Sequence, residues 1–280
     1  MEAPISLVWV GRGNLMRWTV SNHPRTGGVM IMARRIAIWV AILVVASLSM
    51  AGCGAESNPD GDAPLSYRYE FDTDTEGWTG DFTDLPVDYE EDIYELRFEH
   101  ADLPGELESD GKALMLSSIN RSDDIFMYVK RQLTKADGIK PGTTYRITFE
   151  VEFATDAPAG AVGVGGPPGE AVWVKVGAAP EDPVPVEVMD GGVPFYVLSV
   201  DKGRQNEDGE NAIRIGDVAK VDNDEFDVYE FKTLDNSADP LEITSCNEGS
   251  LWIFVGTDSG FEGKTTLYYN MIQVQLEEVK

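Results

Sequence analysis

Residues 145–153 read Tyr145-Arg146-Ile147-Thr148-Phe149-Glu150-Val151-Glu152-Phe153. Apolar side chains stand at every odd position and polar ones at every even position, the period of an extended strand with one buried and one wet face. The same alternation recurs in Tyr94–Glu99, Leu251–Val255 and Ile272–Leu276. Further apolar runs lie at Ala113–Leu116, Phe126–Leu133, Val172–Val176, Tyr196–Val200 and Val228–Thr233, predicting about ten to twelve strands. Turn-formers separate them: Lys140-Pro141-Gly142-Thr143, Asp190-Gly191-Gly192, Asp208-Gly209 and Glu248-Gly249. No stretch of about twelve residues keeps a helical stripe. Many strands with wet outer faces and no helices to cover them predict an all-β fold, two antiparallel sheets packed face to face as a β-sandwich.

Upstream of the strands, Met32–Cys53 reads MARRIAIWVAILVVASLSMAGC. Arg34 and Arg35 lead into the apolar run Ile36–Leu48, which as a helix spans ~20 Å, short of the ~30 Å of a bilayer core. That length suits a cleaved export signal, whose positive flank stays on the cytoplasmic side. Met50-Ala51-Gly52-Cys53 resembles the lipobox of bacterial lipoproteins, with Met50 where leucine is commoner. The resemblance implies acylation of Cys53 and cleavage in front of it. Plain cleavage near Ala51, or an uncleaved helix, would leave Cys53 a thiol.

The domain organisation expected from this is an upstream segment 1–31 preceding a start at Met32 or Met30, a signal peptide 32–52, an acylated cysteine with a flexible tether 53–66, and a single sandwich domain 67–280. The tether, GAESNPDGDAPLS, is rich in Pro, Gly, Asp and Ser and reaches at most ~45 Å. The protein is thereby expected on the outside of a cell membrane, held there by lipid. Gly54, in place of the aspartate that retains enterobacterial lipoproteins, implies the outer membrane in a host with two.

The 280-residue chain carries 49 Asp and Glu against 22 Lys and Arg, a formal charge of −27. Nucleic acid is excluded as a partner, because phosphate binding needs clustered Lys and Arg. The two cysteines are Cys53 and Cys246; with the first acylated no internal disulfide can form, and Cys246 reads as a small packed residue.

Three strings carry a further resemblance. Tyr69-Glu70-Phe71-Asp72-Thr73-Asp74-Thr75-Glu76-Gly77-Trp78 is similar to the first strand and turn of galactose-binding-like jelly rolls, a group that includes many carbohydrate-binding modules. Ile139–Phe149 resembles their strand entered after a Pro-Gly turn. Leu267–Val274 resembles their last strand, which returns beside the first. Concanavalin-like sandwiches begin in a similar way. Asn120–Asp124 and Gly256–Gly263 also resemble segments of uncharacterised bacterial exported proteins, without implying an activity. The jelly-roll likeness implies a monomeric module that binds a glycan or another extracellular polymer, with a calcium ion tying the first and last strands through Glu70, Asp72 and Asn270, the last standing where that pattern has Asp. Asp222–Asp227 is a second acidic cluster, without the glycine or flanking helices of an EF-hand.

Candidate ligand contacts are the aromatic residues, whose flat faces complement the C–H face of a pyranose. Trp78 and Tyr89 lie in the turn-rich segment 72–91, where Trp78 is either a ligand contact or the plug of the sandwich floor. Phe261 stands between glycines and acids in Gly260-Phe261-Glu262-Gly263, tucked under its loop or presented to a partner. Trp173 and Trp252 each oppose their apolar neighbours and so fall on an outer sheet face. The glycine-rich Gly163–Gly169 lacks the Gly-Lys-Ser/Thr of a phosphate loop and reads as a flexible connection.

No catalytic residue is assigned. His100 is the one histidine beyond residue 53, and no Gly-x-Ser-x-Gly elbow occurs. Glycosidase carboxylates cannot be picked out among so many acids. The expectation is a binding protein rather than an enzyme. The alternatives are an envelope protein-interaction module without a small ligand and, behind it, a glycan-cleaving enzyme.

Overall fold

The computed structural model describes residues 63–121, 124–221 and 225–280. The leader, the export signal, Cys53 and most of the tether lie outside the described residues, as do Asp222–Asp224. Fifteen strands occupy the described part: β1 (Leu65–Glu70), β2 (Thr79–Thr83), β3 (Leu85–Pro86), β4 (Arg97–Asp102), β5 (Lys112–Ile119), β6 (Phe126–Leu133), β7 (Thr144–Thr155), β8 (Val172–Ala179), β9 (Pro185–Asp190), β10 (Val193–Leu198), β11 (Ala212–Asp217), β12 (Glu230–Asp235), β13 (Leu241–Thr244), β14 (Leu251–Ser259) and β15 (Lys264–Glu278). A one-turn helix, α1, covers Glu91–Tyr94.

Two large sheets form the sandwich. The first runs β12-β7-β15-β5-β4, with β13 sharing the outer edge of β7 with β12, and β1 sharing an edge of β15 with β5. The second runs β11-β8-β14-β6-β2. Every pairing is antiparallel, and β1 pairs with the terminal β15 from Leu65↔Leu276 to Glu70↔Met271. The all-β sandwich read from period-two patterning is the fold.

The alternating stripe of β7 faces inward: Tyr145, Ile147, Phe149, Val151 and Phe153 all belong to the main core, opposite Val172, Val174 and Val176 of β8 and Ile253 and Val255 of β14. In β15 the inward positions change phase. Leu267 and Tyr269 point into the core, then Ile272, Val274 and Leu276 do, because Asn270 is an extra residue between Tyr269↔Phe153 and Met271↔Glu152. A bulge of one residue is what returns an out-of-phase apolar run to the same face. The outer face of the first sheet is wet, crossed by the surface pairs Arg68–Glu70, Arg97–Glu99 and Arg146–Glu242.

Two boundaries depart from the sequence reading. β1 starts at Leu65, two residues inside the expected tether, because Leu65 packs against the core and pairs with Leu276. Tyr94–Glu99 does not form one strand: Tyr94 ends α1, Glu95 takes a left-handed φ of 47°, and β4 begins at Arg97. Tyr94 turns aside to pack in a satellite cluster with Leu85 and Ile125, edge-on to Tyr89 at 5.9 Å.

The larger departure concerns the second sheet, whose outer face is roofed rather than wet. The segment between β8 and β11 leaves the sandwich, forms the β9–β10 hairpin and returns across β6, β8 and β14. The hairpin turns on Gly191 and Gly192, both at positive φ (58° and 91°), as a two-residue type I′ turn requires. With β3 it makes a third sheet, β3-β10-β9. Beneath this roof Phe126, Tyr128 and Phe254 are fully buried against Leu198, Val200 and Ala212. Tyr128 donates to the Pro183 carbonyl (3.0 Å), and Lys130 reaches Asp182 (2.6 Å) and the same carbonyl (2.7 Å), fastening the start of the roof.

Candidate functional site

Roof and sandwich do not close fully. Between the hairpin, the segment 198–205 and the end of β14 lies a cleft of about 680 Å³. Its wall comes from β10, where alternation puts Phe195 and Val197 on one face, and the register places Val188 and Val186 directly opposite them on β9. Cross-strand partners share a face, so the hairpin offers a continuous apolar surface. Polar groups complete the lining: Asp124, Arg204 and Gln205, with Asp190 and Ser199 at the two ends of the hairpin strands.

The floor is charged and dry. Asp258, on the outer face of β14, and Lys175, diagonally across on β8, are both fully buried. Nζ of Lys202, from the roof, lies 2.6 Å from Oδ2 of Asp258 and 2.8 Å from Oδ2 of Asp84 at the β2–β3 junction. Lys175 approaches the same Asp258 oxygen at 3.3 Å and donates to the carbonyls of Lys202 (2.7 Å) and Glu207 (2.9 Å). The Gln205 backbone N–H adds a bond to Asp258 Oδ2 (3.0 Å), and its side chain donates to Asp124 (2.5 Å).

Burial, against the pull of Lys202, pushes the Asp84 carboxyl up to about 6. Burial pushes Lys175 down. It acts the same way on Lys202, where Asp258 and Asp84 outweigh it and hold the ammonium above its ordinary range. Asp84, Asp124 and Gln205 all adopt left-handed backbone, at φ 60°, 55° and 46°. Non-glycine residues take that conformation at a cost, and it gathers where surrounding structure dictates a side-chain position.

The expected site residues are dispersed. Trp78 is 1% exposed, packed edge-on against Tyr69 (5.4 Å) and Phe71 (6.4 Å) in the main core, so the ligand-contact expectation is corrected: a ring with no free face cannot stack on a sugar. Phe261 is half-buried against the core and clasped by the glycine-rich loop; a Cβ on Gly163 or Gly263 would come within 2.6 or 2.3 Å of its ring. Tyr89 is half-buried beside Tyr94, on a separate hollow with Leu96 and Arg97. Trp173 and Trp252 do lie half-buried on the outer face of the second sheet, but six positions apart in register, ~20 Å along the strands. Trp252 sits under Lys130, whose Nζ is 5.3 Å from the ring, and Trp173 lies against Gly260.

The calcium expectation does not fit the residues present. Glu70 is engaged by Arg68 (2.7 Å), and Asn270, turned to the other side of β15, donates to Glu152 (2.7 Å). Among the described residues no group of three or more His, Cys, Asp or Glu is placed to hold a metal. His100 donates to the Phe71 carbonyl (2.5 Å), and Cys246 is half-buried with Sγ 3.0 Å from Ser250 Oγ.

Sequence reasoning passed over Phe195, Arg204 and the Asp84–Lys202–Asp258 floor, whose members come from three distant segments. A signal for the roof was present. Phe126–Tyr128 is apolar at every position, and so is Leu251–Val255, whose reading as an alternating strand is corrected here: a continuous apolar run is the mark of a strand covered on both faces.

No family model matches the chain, and no curated protein matches it. Among solved structures it is similar to the CBM22-1–GH10 modules of Clostridium thermocellum endo-1,4-beta-D-xylanase 10B complexed with xylohexaose, at 11% identity and a TM-score of 0.33, covering 78% of this chain and 29% of that one. It is also similar to the CBM22-1 xylan-binding domain of a Paenibacillus barcinonensis protein, at 12% identity and 0.33, covering 79% and 97%. A third is a CBM61 in complex with beta-1,4-galactotriose, at 10% identity and 0.28, covering 70% and 86%.

Proposed function

We propose that this chain is an exported, lipid-anchored protein that binds a carbohydrate or another extracellular polymer without turning it over, and that it takes the ligand in the cleft beneath the β9–β10 hairpin. The observation that carries this reading is one cleft lined both by the apolar Phe195 and Val197 and by the polar Asp124, Asp190, Ser199 and Arg204. A pyranose has that division of surface, a C–H face and a rim of hydroxyls, and binding clefts combine apolar walls with a few placed polar groups. The arginine-led apolar run ending at Cys53 supports export and anchoring.

The test is a polysaccharide array followed by titration of the polymer it returns. Phe195→Ala is expected to weaken binding about tenfold, roughly 1.4 kcal/mol. Phe231→Ala, which removes an exposed ring from the first sheet, is expected to leave it unchanged. Absence of binding to every polymer overturns the reading. A protein partner is favoured by one observation, the exposed Val186, Val188, Met189 and Val193 of the hairpin. A single dominant crosslinked protein that added sugars do not displace would establish it instead.

A further inference from the structure

We infer that Lys202 and Asp258 condense into an intramolecular amide bond, with Asp84 as the catalytic carboxylate that relays the protons. Lys202 Nζ is already held 2.6 Å from one oxygen of the Asp258 carboxylate and 2.8 Å from Asp84, and 5.0 Å from the centre of the Phe126 ring. Nucleophile, electrophile and proton carrier are thus assembled by the fold, where proximity replaces an encounter. Both side chains are buried at the floor of the cleft: Asp258 is 0% and Lys202 8% exposed.

The step balances without any outside reagent. The pair starts as ammonium and carboxylate. Asp84 takes one proton from Nζ, whose lone pair then attacks Cγ of Asp258. Charge gathers on Oδ2, which already receives the Gln205 N–H (3.0 Å) and lies 3.3 Å from the Lys175 ammonium, donors aimed where the oxyanion forms. Oδ1, buried with no partner, is the oxygen that leaves. It departs as water with two protons from Nζ, delivered through Asp84; the third proton stays on the amide nitrogen, and Asp84 ends as it began. A carboxyl raised by burial to about 6 can both accept and return a proton near neutrality. The reaction is favoured because it replaces two charges held in a dry interior, a costly arrangement, by one neutral amide. The bond would join the roof to the central strand β14 across 56 positions of sequence.

The test is the intact mass of the full chain under denaturing conditions, compared with its Lys202→Arg variant, which keeps the charge but cannot form the amide. The wild type is expected one water lighter than the Lys202→Arg variant once the Lys-to-Arg mass difference is subtracted, and digestion is expected to give a branched peptide joining Lys202 to Asp258. Asp84→Ala, shown by circular dichroism to be folded, is expected at full mass. A succinimide at Asp258-Ser259 loses the same water but opens in hydroxylamine and yields no branched peptide. Full mass in the wild type, a succinimide alone, or a branch through Lys175 overturns the assignment. Water loss that persists in Asp84→Ala overturns the relay.

Discussion

Asp84 shows how one backbone position sets up the floor of the cleft. Its left-handed φ of 60° and its N–H bond to the Tyr196 carbonyl (2.7 Å) turn the carboxylate under the roof, beside Lys202. Burial raises its pKa from an ordinary 3.8 to about 6, so the folded chain takes up this proton before the unfolded chain does. The penalty is fully present above pH 6 and is relieved as pH falls from about 6 to about 4. Urea titrations are therefore expected to show the wild type gaining stability over that window relative to Asp84→Asn. Gly177 is a second position where one atom decides the packing. A Cβ there would lie 2.1 Å from the Phe254 ring and 2.6 Å from the Asn211 carbonyl, so Gly177→Ala is expected to cost about 1–3 kcal/mol, read from the shift in urea midpoint.

At the scale of elements, β7 serves two partners along one edge, β12 at its C-terminal half and β13 at its N-terminal half. Between them the ladder would lapse, and buried Asn236 fills the gap. Its side chain accepts the Phe149 N–H (2.6 Å) and donates to the Ile147 carbonyl (3.1 Å). Asn236→Ala would leave both backbone groups dry and unpaired, and it is expected to lower unfolding stability by about 1–3 kcal/mol, while a change at exposed Ser237 should have no measurable effect. This scale also shows what the sequence could disclose. The alternation of β7 and the Pro-Gly turn before it are local, so the strand, its buried face and the sandwich are legible in nine residues. The slip in β15 was equally visible, since Leu267 and Tyr269 are odd and Ile272, Val274 and Leu276 even. The cleft is different. Its wall is a hairpin with apolar residues on its exposed face, and its floor joins Asp84, Lys202 and Asp258 across segments that no spacing connects. Among 49 acids, the two that matter carry no local mark.

For the whole molecule, a formal charge of −27 opposes contact with anionic polymers, and on the proposed reading recognition falls where apolar area is gathered. The roofed outer face of the second sheet is such a place, and the cleft at its margin is lined by both apolar and polar groups. The anchoring half of the proposal is tested separately: Cys53→Ala is expected to move the protein from the membrane fraction to the soluble exported fraction and to abolish incorporation of labelled fatty acid. The most direct test of ligand binding is hydrogen exchange of the purified protein with and without the polysaccharide that the array returns. Protection is expected across β10 and the segment 198–205. Protection confined to the wet face of the first sheet around Thr148, Gln273 and Gln275, or no protection anywhere, would contradict the account.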